Sequence, residues 1–378
     1  MTALLPHDGG AGQSHAYQQD CCCRAAPGVV HPLNQSLSAH ISFVVPVFNG
    51  GEAFELCLQS LCALEPAPLE IVVVDDGSTD QSADLARRAG ARVLATSRPR
   101  SGPAIARNLG AQAAKGEFLF FLDADCSIHA DALRVAARVL DEHPEVAALI
   151  GSYDDRPTSP NLLSQYKNLA HHAVHQSAPV NGFTFWGACG VIRRDVFLQL
   201  NGFDERYGRP CVEDIELGYR LVESGHRIRV CRDLLITHHK TWRPLGLLKT
   251  EVFDRAIPWS ELILSRRRME NALNINRAAR LRVALAGLIP LFALAGFWWQ
   301  PAWWLLAAVA GVLLVLDWPI LSYLAKLRGV WFAIQVIPWH WFSHFYSGVA
   351  FALVILKRVR ISSGDSLAPP VTLPEPPR

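Results

Sequence analysis

The sequence predicts an α/β fold built on a mostly parallel sheet, followed by membrane-spanning helices. Three observations carry this reading. Short apolar runs alternate with helix-period stretches of about 10–15 residues between residues 41 and 231, the pattern of βαβ units. One run, 117–125 (EFLFFLDAD), passes from five consecutive apolar residues straight into two carboxylates. The apolar excess of this 378-residue, 50% hydrophobic chain is concentrated after Arg282.

Taken in order, residues 1–39 are rich in Gly, Pro, His, Gln and Ser without a sustained period, and are expected to be a disordered tail. The triple Cys21–Cys22–Cys23 falls in that tail. Residues 41–48 (ISFVVPVF) read as a strand, 52–64 as a helix and 69–76 (LEIVVVDD) as a second strand ending in acid. A helix over 79–89, a strand over 91–96 and a helix over 103–114 follow, with Pro103 acceptable in the first helical turn. The run 117–122 is the central strand and 130–140 the helix after it. A strand over 146–152, a long helix over 161–176, a short helix over 195–200, a helix over 212–224 closed by Gly225 and a last strand over 227–231 complete the unit.

Two features frame the chemistry. A short continuous apolar run suits a strand buried on both faces. Residues i and i+2 of an extended chain share a side, so Asp123 and Asp125 are expected together at the strand's carboxyl end, where open α/β sheets bind ligands. Two hard oxygen donors there suit Mg²⁺ or Mn²⁺. The alternative is a pair of loop carboxylates capping the next helix. The net charge of +2 gives no bulk electrostatic case for nucleic acid. No Cys-x-x-Cys pair with zinc spacing occurs, and the scattered cysteines mostly lie in or beside apolar stretches, consistent with a reducing cytoplasm around the soluble part. His171, His172 and His175 have helical spacings that permit a metal site, but lack the acid of a His-Glu-x-x-His motif.

Residues 283–299 and 303–323 are each long and uncharged enough to span a bilayer, apart from Asp317. Trp298, Trp299, Trp303 and Trp304 suit an interfacial belt at a hairpin tip, and flanking Arg and Lys residues place both ends in the cytoplasm. Residues 331–356 are apolar but interrupted by Pro338, His340 and His344. A broken, re-entrant or hairpin segment is expected there, because it keeps Lys357, Arg358 and Arg360 inside. The chain therefore divides into 1–39 (tail), 40–270 (α/β domain with membrane-proximal helices), 271–361 (membrane region) and 362–378 (tail).

Four signatures now stand in one order: VVPVFN (44–49), VVVDDGSTD (72–80), ARNLGAQAAKG with FLFFLDAD (106–125) and VEDIELGYRL (212–221). As an ordered set they resemble the family 2 glycosyltransferases, of membrane-attached bacterial type. That resemblance implies the GT-A fold, a Rossmann-like mixed sheet of nucleotide-diphospho-sugar transferases. It implies transfer of a sugar from a nucleotide-diphosphate donor to an acceptor hydroxyl, with inversion and Mn²⁺ or Mg²⁺. It further implies that Pro46, Asp75 and Asp76 receive base and ribose, that Arg107 lies near the donor, and that Asp123 and Asp125 clamp metal and donor. Asp214, beside Glu213, matches the catalytic base, and the FWGACG stretch with Trp186 and Gly187 matches the segment below the acceptor. The processive Gln-x-x-Arg-Trp motif is not found; RAIPW at 255–259 is a loose analogue whose Arg255 falls on the acceptor side. Single transfer is therefore favoured over polymer synthesis. The membrane tail resembles enzymes of lipid-linked or envelope glycan synthesis, which implies a lipid-linked or glycan acceptor, contact with membrane lipids and the bacterial inner membrane, with the catalytic domain in the cytoplasm.

The chemistry suits these residue types. Departure of a diphosphate develops negative charge that a metal held by Asp125 neutralises. The attacking hydroxyl needs one carboxylate base. His238 is a candidate third metal ligand, since imidazole suits Mn²⁺ acceptably. Lys240, Arg243 and Lys249 read as a basic face on anionic lipid headgroups. Two other classes compete. A nucleotidyltransferase needs a glycine- and arginine-rich loop after the first strand, where this chain has only Asn49–Gly50–Gly51. A sugar-nucleotide-binding scaffold without transfer has no need of Asp123, Asp125, Glu213 and Asp214 together. With so few spans and Asp317 as the lone acid in them, a channel or transporter is disfavoured.

Overall fold

The apolar runs become strands of one mixed sheet. A computed structural model describes residues 40–266 and 276–364 of the chain. The tail expected over 1–39, with its three cysteines, lies outside the described residues. So does the tail expected over 362–378 from residue 365 onward; residues 362–364 continue a helix.

Strands β1 (Ile41–Val47), β2 (Glu70–Asp75) and β3 (Arg92–Ala95) alternate with helices α1 (Gly51–Cys62), α2 (Ser82–Arg88) and α3 (Pro103–Ala113). Then come β4 (Phe118–Leu122), β5 (Cys126–Ile128), α4 (Ala132–Glu142), β6 (Val146–Tyr153) and α5 (Leu162–Ser177). After β7 (Asn181–Gly182) follow β8 (Cys189–Arg193), α6 (Arg194–Gln199), α7 (Glu213–Glu223) and β9 (Arg227–His238). The sheet order is β3-β2-β1-β4-β8-β6-β9-β5, with β7 also paired to β9. The half from β3 to β4 is parallel, as the βαβ pattern predicts. Beyond β4 the sheet turns mixed: β8 is antiparallel to both β4 and β6, and β5 antiparallel to β9. Here the mostly parallel expectation is corrected. The glycine-rich FWGACG stretch leads directly into β8, which runs antiparallel alongside β4.

β4 is buried along its whole length, which is why it reads as an unbroken apolar run. Phe43 of β1 stacks on its cross-strand partner Phe120 at 4.4 Å. Pro46 is tolerated in β1 for a positional reason. Val47 O accepts from Asp76 N on the β2 side, so the neighbouring Pro46 faces the β4 edge. The β1–β4 ladder has already ended there, at Val44 with Phe121, and the missing N–H costs no ladder bond.

After β9 the chain forms α8 (Pro244–Lys249), a π-helical turn over Thr250–Ala256 and α9 (Ile257–Arg266). These pack back on α7. Trp259 Nε1 donates to Tyr219 Oη at 3.3 Å, Arg266 pairs with Glu216 and Glu223, and Leu262 joins Val212 and Tyr219 in a small core.

Three helices follow: α10 (Arg277–Ala295), α11 (Pro301–Arg328) and α12 (Val330–Gly364). All three are long and apolar enough to cross a membrane, the third over Val330–Arg360. At the tip between α10 and α11, Trp303 Nε1 donates to Gly296 O, while Trp298 and Trp304 stay exposed. The broken or hairpin segment expected over 331–356 is corrected to one continuous helix. Pro338 removes only one helical hydrogen bond, a loss that packing on neighbouring helices tolerates. The cations at its end nevertheless stay near the α/β domain. Ala333 and Val336 pack on Tyr166 and Leu169 of α5. Lys357 reaches Glu261 Oε1 at 3.4 Å, and Arg358 donates to Glu261 O. These two contacts are about 36 Å apart along the helix, so α12 runs along the domain.

Candidate active site

The carboxyl ends of β1, β2 and β4 open onto one side of the sheet, with loops from α7, β8 and β9 facing them. Between β4 and β5 the chain makes a tight turn in which Cys126 N donates to Asp123 O at 3.1 Å. Asp123 and Asp125 therefore flank a turn rather than share a face of one extended strand, which corrects that expectation. The consequence is a division of partners. Asp123 Oδ1 accepts from Arg107 Nη2 at 2.7 Å. Asp125 instead faces β9: Oδ2 lies 3.5 Å from His238 Nε2 and 3.7 Å from Lys240 Nζ. Burial works against the charge of Asp125, but His238 and Lys240 outweigh it and hold its pKa well below the usual carboxylate range.

Asp125, Cys126 and His238 bring their ligand atoms within 4.8 Å of one another. β5 pairs Cys126 with His238 across an antiparallel ladder, which is how residues more than a hundred positions apart meet. One carboxylate and one imidazole fit a divalent cation of the Mn²⁺ type. Tyr153 stacks on the His238 ring at 4.6 Å and fixes its plane. Asp123 is not among these grouped atoms.

Arg107 is the hub. It is 5% exposed, and its second nitrogen, Nη1, donates to Glu213 Oε1 at 2.8 Å. Burial opposes its charge, yet Asp123 and Glu213 together raise its pKa. Glu213 accepts a further hydrogen bond from Cys211 N on Oε2, so both its oxygens are committed. A Cβ on Gly187 would stand 3.0 Å from the Arg107 guanidinium carbon, so the FWGACG glycine is what lets the backbone lie against the arginine.

Asp214 stands in the first turn of α7. Its Oδ2 accepts from Gly187 N at 3.1 Å, and Oδ1 from Ile215 N. Unlike Glu213 it keeps some solvent-accessible surface. Burial and the adjacent Glu213 push its pKa up to about 6, against the pull of the Gly187 N–H, Arg107 and Arg255. Desolvation thus outweighs the helix dipole, which favours a carboxylate in the first turn of α7.

Asp75 and Asp76 sit at the end of β2, as the sequence places them. Asp75 Oδ1 accepts from Ser78 N. Asp76 is buried and spends its carboxylate on the 97–102 loop, accepting from Thr96 Oγ1, Ser101 N and Gly102 N, each at 2.8 Å. Gly102 has φ +99°, and a Cβ there would lie 2.7 Å from the Gly208 backbone. Gly102→Ala is expected to destabilise the protein by about 1–3 kcal/mol. The check is a lowered thermal midpoint in detergent.

Trp186 is ringed by Tyr153, His171 and His175, at centroid distances of 4.8–4.9 Å. His175 Nδ1 and His172 Nδ1 face the carbonyls of Gly151 and Tyr153, so the helical histidines support the strand beside the site instead of converging on a metal. Arg255 lies in the π-helical turn, 3.6 Å from Glu251, which pairs with Lys167 at 2.8 Å. Sequence reasoning missed Cys126 and Tyr153, and read Lys240 as a headgroup contact; the β5–β9 and β6–β9 registers that gather them leave no mark in the sequence.

Residues 42–200 match the model of Glycosyl transferase family 2. Residues 42–200 form a family 2 glycosyltransferase domain. The chain is 33% identical over 92 residues to the uncharacterised glycosyltransferase YibD of Escherichia coli K12, covering 24% of this chain and 27% of that protein. It is 28% identical over 235 residues to the pre-mycofactocin glycosyltransferase of Mycobacterium tuberculosis, covering 56% and 46%. The chain thus spans less than half the length of these two curated relatives. Among solved structures, the mannosyltransferase PcManGT of Pyrobaculum calidifontis, in complex with GDP-Man and Mn²⁺, superposes with a TM-score of 0.55. At 21% identity, over 80% of this chain and 87% of that one, it shares the GT-A fold.

Proposed function

We propose that this family 2 glycosyltransferase domain transfers a sugar from a nucleotide-diphosphate donor to an acceptor hydroxyl, with inversion and a divalent metal, in lipid-linked or cell-envelope glycan synthesis. The observation that carries the reading is Arg107, buried between Asp123 at the end of β4 and Glu213 at the start of α7. It locks the donor side of the site to the residue beside Asp214. Relatives that are glycosyltransferases and a neighbour holding GDP-Man and Mn²⁺ support the same reading.

In this proposal Pro46, Asp75 and Asp76 shape the base and ribose pocket, Asp76 by anchoring the 97–102 loop. Asp125 and His238 hold Mn²⁺ or Mg²⁺, which supplies Lewis-acid neutralisation of the departing diphosphate. Lys240 adds a second positive charge at that end. Asp214, oriented by Gly187 N, takes the proton of the attacking hydroxyl from the opposite side. Glu213 and Arg107 position it and set its basicity. Trp186 packs under the acceptor, and Arg255 faces it from the π-helical turn. Residues 40–270 form the catalytic unit and 271–361 the membrane region. The chain is a multi-pass protein of the bacterial inner membrane with its catalytic unit in the cytoplasm, and the acceptor is lipid-linked or a glycan.

The test is nucleoside-diphosphate release by the full chain in detergent, across a panel of nucleotide sugars with Mn²⁺ or Mg²⁺ and membrane-lipid acceptors. Release with one donor, abolished by chelation, is expected; no release with any donor overturns the reading. The pH profile of kcat/KM should rise with pH and reach half its plateau near 6, because Asp214 acts in its ionised form and its pKa in the free enzyme is raised to about 6. Below that point the rate falls about tenfold per pH unit. A profile flat down to pH 4.5 removes Asp214 from the role of base.

A further inference from the structure

The membrane region carries a second cluster of ligating side chains, well away from the donor site. Asp317 of α11 is fully buried, yet it lies in an otherwise apolar helix. Two histidines one turn apart on α12 face it: His340 Nε2 is 3.4 Å and His344 Nε2 3.8 Å from the same oxygen, Oδ1. All three ligand atoms lie within 4.8 Å of one another. None of the three makes a hydrogen bond. Buried polar atoms that converge without an aligned hydrogen bond are costly in an apolar environment.

We propose that Asp317, His340 and His344 form a binding site for a divalent transition metal of the Zn²⁺ class. The chemistry of the set points there. Two imidazoles and one carboxylate are ligands that Zn²⁺, Co²⁺ and Ni²⁺ accept and Mg²⁺ does not favour. Bonds of about 2.0–2.1 Å in tetrahedral geometry separate neighbouring ligand atoms by about 3.3 Å, close to the 3.4 and 3.8 Å found. A proton on one imidazole bridges that nitrogen to Oδ1; one cation binds both nitrogens and Oδ1 together.

The ligands are also held from behind, as metal ligands are. Tyr166 Oη lies 2.7 Å from His340 Nδ1, which directs Nε2 at Asp317. Trp341 Nε1 donates to Asp317 Oδ2 at 3.0 Å, leaving Oδ1 for the cluster. Arg282 Nε stands 2.7 Å from Oδ1, but its N–H is not aligned with it. The arginine is instead tied to Leu316 O through Nη2. A carboxylate offers about four lone-pair positions, so Arg282 and a metal can share Asp317. Such a site joins α10, α11 and α12 to α5 of the catalytic unit, and fixes how the domain sits on its membrane helices.

The test uses the full chain in detergent, stripped with chelator and dialysed against Zn²⁺ or Co²⁺, with Asp125→Asn in the background to weaken the donor-side cluster. Metal analysis should find about one retained equivalent, and Co²⁺ should give a visible ligand-field spectrum. Both should be lost when His340→Gln and His344→Gln are added. Equal retention with and without the two histidine changes overturns the proposal, as does no retention at all. Should the histidine variant fail to fold, Tyr166→Phe decides: Zn²⁺ affinity about tenfold weaker supports the site, and unchanged affinity overturns it.

Discussion

Asp214→Asn is expected to lower kcat by about 10²–10⁴-fold, the usual share of a general base, without loss of folded protein. Asn keeps the size of the side chain and one oxygen to accept from Gly187 N, the contact between distant segments, and gives up only the local bond from Ile215 N. The stability argument runs in favour of the variant. The folded-state pKa of Asp214 is raised to about 6, above its unfolded value, so at pH 7–8 the folded state holds a carboxylate that burial and Glu213 disfavour. That penalty is present above the folded pKa and is relieved as pH falls through it. A neutral amide removes it at every pH. The thermal midpoint of the variant at pH 7.5 should therefore match or exceed that of the native chain while release of nucleoside diphosphate collapses. Native-like turnover in a folded variant would place the base elsewhere.

The largest effect on folding is expected at Arg107. Arg107→Met keeps the length of the side chain but leaves Glu213 and Asp123 without their cation. Glu213 is 3% exposed, so its charge has no solvent to fall back on. Removing one partner of a buried ion pair costs about 3–5 kcal/mol, a large part of a domain's net stability. The more exposed Asp123 contributes less, because water screens it. The readout is thermal unfolding in detergent, compared with Arg107→Lys. Lysine carries the charge without the two-pronged fork that reaches both carboxylates, and should recover only part of the loss. If Arg107→Met unfolds at the native temperature, the buried bridge is not what joins the two halves of the site.

The two substitutions separate the roles of neighbouring acids. Glu213 has both oxygens committed, to Arg107 and to Cys211 N. Asp214 has two backbone N–H partners and remaining access to solvent. Such an arrangement commits one acid to the structure and leaves the adjacent one open for the role of base proposed above, a distinction that the Glu-Asp dipeptide alone does not display.

Much of the fold was legible in the chain. The βαβ alternation from residue 41 and the helix bearing Asp214 follow from period and from turn residues, because side-chain burial repeats at 2.0 or 3.6 residues. β4 is visible as an unbroken apolar run because both its faces are covered. The candidate site residues were legible as motifs; their partners were not. Asp123 and Asp125 read as one pair from their spacing, and a turn at Ala124 gave them to different neighbours. Lys240 read as a lipid contact until β9 carried it to Asp125. The third apolar segment read as interrupted at Pro338, where packing keeps one helix.

The sequence by itself determined the α/β class of the domain, two apolar helices and a third apolar segment after Arg277, and the carboxylates at the ends of β2 and β4. These depend on local propensity and on which residues avoid water, properties each segment carries alone. Only the tertiary structure decided that β8 runs antiparallel beside β4, that His238 stands opposite Cys126, that Arg107 spans from Asp123 to Glu213, and that Asp317 meets His340 and His344. Each of those depends on strand register or helix packing between distant segments: a shift of a single residue would turn Cys126 or His238 to the other face of the sheet, and would rotate Arg107, Asp317 or the two histidines by about 100° around their helices.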